Sequence, residues 1–559
     1  MAAYFDFHFH PLGKRMLTEF DDQERQNRDC TERILLPPLG GVINNRIGRI
    51  LNSQACITQA VSGGIRLGVA NIVAIEYIFA TKKGILKLLE WECNGNDVIA
   101  PLDNKLFEFI RNGLGSYLKL FNNELDFYQW VARQNNLRHC INLLSRKKGD
   151  DLQLQQGKLN LILAIEGGHN LSAKFINKPA GASDPVAIVM DYRTDPFVDF
   201  LYLTLTHLSH IPEQPLCSHA YAFKMVNNLP EARPQVKGLT SLGRQVVRAC
   251  VDTKENAYPI LIDIKHMSLL GRRNFYAYRR LLLNSRPDGF KPPKESNGEP
   301  WWPIIATHMG VTGYNSIDLK HLINTYGIEG ENKHSVRISL SRIKAADLPH
   351  TTIRKKLTFN PATVGLCDDD IEEIARSRGL IGISLDARIL GYENMWKNLQ
   401  PDYDYMSRKD FAQLFPELDK NLPPVDPADE EPAEEQSRLF SDRRKRELYL
   451  FCLNMLHVVA VINRMPEDER HGKDGWEYVC LGSDYDGLID SLEAVDTAES
   501  LPEFEQKLQL YLPPAEKAYL DAHANAPELL PAGGEISVKQ VLRKVLYENG
   551  ERFVREWWG

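Results

Sequence analysis

Residues 4–11 read Tyr4-Phe5-Asp6-Phe7-His8-Phe9-His10-Pro11. From Phe5 to His10 apolar and polar side chains alternate, which is the period of a β-strand. Residues two apart on a strand share a face, so Asp6, His8 and His10 point the same way. Pro11 has no N–H to give a ladder and ends the run. Two imidazoles about 7 Å apart along one strand face can grip a single cation. A strand that carries histidines without a metal has the same local sequence, so the meaning of the motif depends on the rest of the chain.

Seven further apolar runs are bounded by turn residues and separated by helical stretches: Asn71–Phe79, Leu159–Ile165, Phe200–Thr206, Pro259–Lys265, Pro303–Thr307, Leu380–Asp386 and Tyr478–Ser483. Several are almost entirely apolar, as parallel strands covered on both faces are. Between them lie segments of helical period, among them Leu102–Gln134, Leu239–Val251 and Asp368–Arg378. The Asp368-Asp369-Asp370 run puts acid where it favours a helix start. Eight strands alternating with helices predict an α/β fold, a (β/α)8 TIM barrel in one domain spanning 1–559, with a doubly wound open sheet as the alternative.

Three stretches read as insertions in that barrel: about 284–300, 310–358 and 398–436. The first is rich in Pro, Gly and Lys and reads as a surface loop. The second contains a candidate hairpin strand, Arg337–Ser341. The third ends in an acidic, proline-rich run from Leu422 to Glu435, read as mobile. Val538–Trp558 reads as a closing C-terminal helix.

The chain has 559 residues, 43% hydrophobic and 25% charged, the composition of a globular protein with a large core. A net charge of -7 and a pI near 6.1 argue against a nucleic-acid partner. No apolar run is read as membrane-spanning, and no signal peptide is visible ahead of the first strand. Nine cysteines without a Cys-x-x-Cys pair suit reduced thiols and a cytoplasmic setting.

The chemistry lies at the strand ends. His8 and His10 close the first run, Glu166 follows the third, His207 the fourth, His266 the fifth, His308 the sixth and Asp484 the eighth. A parallel barrel gathers those ends on one face, where barrel enzymes keep their active sites. Imidazoles and carboxylates converging there suit two divalent cations about 3.5–4 Å apart, and that donor set favours zinc over magnesium. Each residue alone has a plainer reading: His207 as a hydrogen-bonded core histidine, Asp484 and Asp486 as caps of an Asp-Tyr-Asp-Gly turn. It is the joint pattern that points to metal.

The motifs Ile165-Glu166-Gly167-Gly168-His169, Leu203-Thr204-Leu205-Thr206-His207, Ile262-Asp263-Ile264-Lys265-His266-Met267-Ser268, Pro303-Ile304-Ile305-Ala306-Thr307-His308 and Gly482-Ser483-Asp484-Tyr485-Asp486-Gly487 hold the order and approximate spacing of a known family. In them, in Gly238–Val247 and in Asn549–Phe553 the chain resembles the membrane dipeptidase (peptidase M19) family of the amidohydrolase superfamily. The resemblance implies that His8 and His10 bind one metal, that His266 and His308 bind a second, and that Glu166 bridges both. It also implies that Asp484 sits beside the metal-bound water and shuttles its proton, and that His207 contacts the substrate. Two departures stand out. The family's first strand carries His-x-Asp where this chain has His-x-His, which raises the site's charge by one unit. The family also holds the substrate carboxylate with an arginine shortly after the second-metal histidine. Residues Met309–His321 contain none here. Lys320, Arg388, Arg337 and Arg342 are the candidate replacements. Without such a clamp a preference for substrates anchored by neutral or apolar groups is expected.

The expected function is that of a binuclear metal-dependent hydrolase cleaving an amide or peptide bond of a small molecule, with Asp484 as general base and acid. A lactone, another ester or a deaminated ring is the alternative substrate, and a metal-binding barrel without catalysis the alternative class. A homo-oligomer is compatible with the sequence.

Overall fold

The computed structural model describes residues 3–21, 26, 29–35, 50–81, 103–134, 141–148, 152–173, 183–211, 214–222, 232–254, 258–294, 298–329, 333–347, 356–391, 403–425 and 443–558. The opening stretch is strand β1 (Tyr4–Phe9), and all six of its residues are buried. Both faces of β1 are therefore interior. His8 reaches across the barrel to Tyr202 and Thr307. Phe5 lies against Gly550, where a Cβ would come within 1.9 Å of its ring. The strand's alternation thus separates a polar barrel lumen from an apolar packing layer rather than core from water.

The next strands are β2 (Ile65–Ile72), β3 (Ile141–Leu143), β4 (Leu159–Glu166), β5 (Phe200–Thr204), β6 (Leu261–Asp263) and β7 (Ile305–Met309). After an excursion described below come β12 (Leu380–Ile383) and β15 (Val479–Leu481). The parallel order is β1-β2-β4-β5-β6-β7-β12-β15, with β3 as an extra strand beside β4. The ends of this path meet. Phe9 bridges Tyr485, Asp484 N–H donates to His8 O at 2.8 Å, and His10 N–H to Tyr485 O at 2.9 Å. Closure makes it the expected (β/α)8 barrel and not an open sheet.

All eight strand readings touch an observed strand, but the second does so at only two residues, Asn71 and Ile72. There β2 covers 65–72, and the rest of the expected Asn71–Phe79 is a loop and the short 3-10 turn Tyr77–Ala80. The expected helix Leu102–Gln134 is two helices, Asn104–Arg111 and Tyr117–Arg133. Gly113 adopts φ 59° between them, and the Ser116 side chain accepts from Lys119 N–H to start the second. Ser241–Val251 and Asp368–Arg376 match expectation, the former capped by Thr240. The closing helix runs Glu535–Arg543, a π turn Lys544–Glu548, then Asn549–Trp558. Asn549 pins it to the barrel by donating to Trp476 O at 2.7 Å and Val479 O at 2.8 Å.

Helix Arg443–Asn463 corrects the reading that no run reaches membrane-spanning length. It is long and apolar enough to cross a bilayer, but every residue from Glu447 to Ile462 is buried inside the protein.

The second and third inserts are not separate loops. Strands β8 (Ile323–Glu329), β9 (Ser335–Leu340), β13 (Tyr403–Ser407) and β14 (Pro424–Val425) form one sheet in the order β13-β9-β8-β14. Strands β10 (Lys344–Asp347) and β11 (Lys356–Thr358) pair beside it. The sheet has its own apolar core, including Val336, Ile338, Met406 and Phe411. Two buried carboxylates tie this unit to the barrel. Asp404 accepts from Thr363 N–H and its hydroxyl, both at 2.8 Å; Asp410 accepts from Gly238 N–H at 2.8 Å and from the Ser268 hydroxyl at 2.6 Å. The acidic run from 426 onward lies outside the described residues. The 284–294 stretch is mostly exposed, as a surface loop should be.

Candidate metal centre

The expected residues meet at the C-terminal mouth of the barrel. His8 is on β1 and His10 just beyond it, Glu166 ends β4, and His308 lies within β7. His207, His266 and Asp484 each follow their strand by three residues. Glu166 is the hub. Its Oε1 lies 3.3 Å from His8 Nε2, 3.5 Å from His266 Nε2, and 3.7 Å from both His207 Nε2 and His308 Nε2. Its Oε2 lies 3.2 Å from His10 Nε2. Asp484 approaches from the opposite side, Oδ1 at 3.8 Å from His8 and 3.7 Å from His10, Oδ2 at 3.9 Å from His308.

For His8, His10 and His308 the other ring nitrogen shows where a proton sits. His10 Nδ1 faces the Asn71 carbonyl at 3.1 Å, and a carbonyl only accepts, so Nδ1 carries the proton. Tyr202 donates its own hydroxyl proton to Phe7 O, so it accepts from His8 Nδ1 at 3.0 Å. Thr307 donates to Asp263 at 2.7 Å, so it accepts from His308 Nδ1 at 2.9 Å. Held this way and without a second proton, the rings turn lone pairs on Nε2 toward Glu166. The Nε2 atoms of His8, His10 and His266 are buried and have no hydrogen-bond partner. Acceptors facing acceptors at 3.2–3.5 Å call for a cation between them.

The electrostatics agree. Burial opposes charge at Glu166, but the surrounding histidines hold its carboxyl well below the ordinary range. Burial also opposes a charged His10, yet Asp484 and Glu166 raise it to about 10. A proton and a metal ion compete for that negative potential. Three sets of donor atoms are close enough to share an ion: His8, His10 and Glu166; His8, His308 and Asp484; Glu166, His207 and His266. They bring all the expected ligands together, but group His266 with His207 rather than with His308.

Two features around these residues were not read from the sequence. Glu76 accepts from His207 Nδ1 at 2.8 Å, from Leu208 N–H at 2.9 Å and from the Ser209 hydroxyl. Burial works against its charge, but the His207 contacts hold it near 2. Its signal was present as an acid inside an apolar run, Ile75-Glu76-Tyr77, the same signal that singled out Glu166. The second is Gly487: a Cβ there would stand 2.1 Å from Asp484 Oδ1, so glycine makes room for the carboxylate. Asp484 and Asp486 both take left-handed backbone (φ 63° and 65°). Asp486 accepts from Gln54 and Ala55 N–H, so it ties down a segment distant in sequence rather than capping its own turn.

His10, Glu166, His207, His266 and Asp484 line a cavity of about 230 Å³ whose lining is otherwise largely apolar. Of the replacement cations, Lys320 is exposed and outside the cavity lining. Arg388 lines the cavity but forms a bidentate pair with Asp386 at 2.7–3.0 Å. Arg337 stacks 4.2 Å above the Tyr403 ring, and Arg342 donates to Thr358 and Gly391. Lys265, not weighed from the sequence, also lines the cavity.

No family model and no curated protein sequence matches the chain. Solved structures do. It is similar to a dipeptidase of metallopeptidase family M19, at 13% identity over 100% of this chain and 99% of that one, TM-score 0.44. A metallopeptidase from Rhodobacter sphaeroides, solved with a phosphinate mimic of the dipeptide L-Ala-D-Ala, matches at 13% identity, 100% and 99% coverage and TM-score 0.43. The probable dipeptidase PvdM from Pseudomonas aeruginosa matches at 12% identity, 100% and 94% coverage and TM-score 0.42. At such values, the fold and the capacity of the site rest on this chain's own residues.

Proposed function

We propose that the protein is a metal-dependent hydrolase of small amides, with a dipeptide or an acylated amino acid as substrate. The observation that carries this is the ring of buried, unpartnered Nε2 atoms around Glu166. His8, His10, Glu166, His266 and His308 would hold two divalent cations, zinc by donor chemistry. When bound, such ions polarise a carbonyl and make water a nucleophile near neutral pH.

The remaining work falls to the chain. Asp484 faces the cavity with its side chain 15% exposed, in reach of both water and substrate. It takes a proton from the attacking water and returns it to the leaving nitrogen. His207 is aimed by Glu76, and its Nε2 faces the cavity, where a protonated ring donates to the carbonyl oxygen as charge builds there. The apolar wall excludes water and receives a side chain.

The test is elemental analysis of the purified protein followed by hydrolysis assays on dipeptides, acylated amino acids and lactones. Two metals and amide turnover are expected. Metal without turnover on any of them would favour a binding scaffold, and absence of metal under metal-replete expression would remove the reading.

A further inference from the structure

Lys265 is 1% exposed and lines the cavity together with Glu166, Asp386 and Asp484. Its backbone N–H donates to Asp263 Oδ1 at 3.1 Å, but among the described residues no hydrogen bond or ion pair reaches its Nζ. A buried ammonium carries three donors, and leaving them unmet is costly. The turn explains how it comes to face the site: His266 adopts φ 64°, which ends the alternation of β6 and lets two consecutive residues line one cavity. Neighbouring cations are engaged elsewhere. Arg388 holds Asp386, and Lys14 donates to Ile50 O at 2.6 Å. Away from the ligands the wall is Met16, Leu17, Phe79, Leu208, Leu488 and Ile489.

We infer that Lys265 anchors a carboxylate of the substrate, and that the substrate pairs this carboxylate with an apolar side chain seated on the cavity's apolar lining. The inference rests on the hydrolase reading above and names its substrate class. A single ammonium, with no second free cation among the described residues of the lining, matches the single charge of a carboxylate better than the double charge of a phosphate. The carboxylates of Glu166 and Asp484 repel an anion from the metal-free site, but a pair of divalent cations more than offsets them. Anion binding therefore belongs to the metal-loaded protein. The stretch Met309–His321, which lacks arginine, leads to the expectation of a neutral anchor; a lysine one position before a metal-binding histidine supplies what that stretch lacks.

The experiment uses two phosphinic dipeptide mimics with leucine side chains, one ending in a carboxylate and the other in a carboxamide. Each is titrated calorimetrically into metal-loaded protein. Both present the same phosphinate to the metals, so their affinity ratio isolates the C-terminal charge. The acid is expected to bind at least tenfold tighter to the native protein. In Lys265→Met, with metal content checked, the ratio should fall toward one, and in Lys265→Arg a preference should remain. Equal binding of the two mimics to the native protein, or an unchanged ratio in Lys265→Met, overturns the anchor and leaves the hydrolase reading standing. Failure of both mimics to bind overturns the hydrolase reading, and the anchor with it. Should Lys265→Met not fold, the native ratio and Lys265→Arg still decide.

Discussion

At the scale of single residues, the sequence shows the ligands and hides what aims them. His8, His10, Glu166, His266, His308 and Asp484 were legible because each follows an apolar run. Tyr202, Thr307 and Asn71, which orient the rings, look like ordinary strand residues and become visible only when the barrel brings them across the lumen. Asp484→Asn is expected to keep most of the metal and lose about 10²–10⁴-fold in kcat, since an amide fills the space but takes no proton. Turnover near that of the native protein would remove Asp484 from proton transfer, and equal loss of metal would make it a ligand. A second residue makes a pH prediction. Burial pushes Glu447 up to about 6 from 4.5, against the opposing pull of Arg443. A raised carboxyl pKa adds stability that is fully present below about 4.5 and lost as pH rises through about 6. Thermal melts of the native protein and Glu447→Gln should therefore diverge in favour of the native protein on acidification, by about 2 kcal/mol in all. A difference that stays flat between pH 7 and 4.5 would contradict this.

At the scale of elements, the strands were easier to read than their company. A parallel strand is a short apolar run between breakers, and every reading touched a strand, the second at only its first two residues. The second failed because Val73–Phe79 is just as apolar while serving as cavity wall and 3-10 turn. The single helix over 102–134 failed because periodicity survives a break whose two halves keep similar phase, and the Gly113–Ser116 punctuation was overlooked. The inserts were located but not joined. Pairing between β9 and β13, separated by more than sixty residues, leaves no local trace in the sequence. The joined insert bears on the site through Asp410, which binds Ser268, two residues after His266. Asp410→Ala should strip partners from buried donors at a cost of about 1–3 kcal/mol. It should also loosen metal binding, because the turn carrying His266 loses its brace. Denaturant unfolding and a metal-competition titration check the two effects, and an unchanged metal affinity would confine Asp410 to the fold.

For the whole molecule, removing the metals should lower stability, because ions that bind the folded chain and not the unfolded one pull the equilibrium toward folding. Each ion held at a hundredfold excess over its dissociation constant adds about 2.7 kcal/mol. Chelation should lower Tm and added zinc restore it; a Tm indifferent to chelator would argue that the histidine ring folds without ions. The same closure that gathers the ring has a consequence in time. Asp6 accepts from the Ser483 hydroxyl at 2.5 Å and Asp484 N–H caps His8 O, contacts that span 477 residues of sequence in the first case. The strand that carries Asp6 has no seam to close against until the segment that carries Ser483, 477 residues later, has left the ribosome. At about 5–20 residues per second that interval is roughly 25–100 s. Throughout it the nascent chain carries His8 and His10 without Asp484 and with an unpaired strand edge, so the histidine ring can be assembled only after the segment around Asp484 has been made.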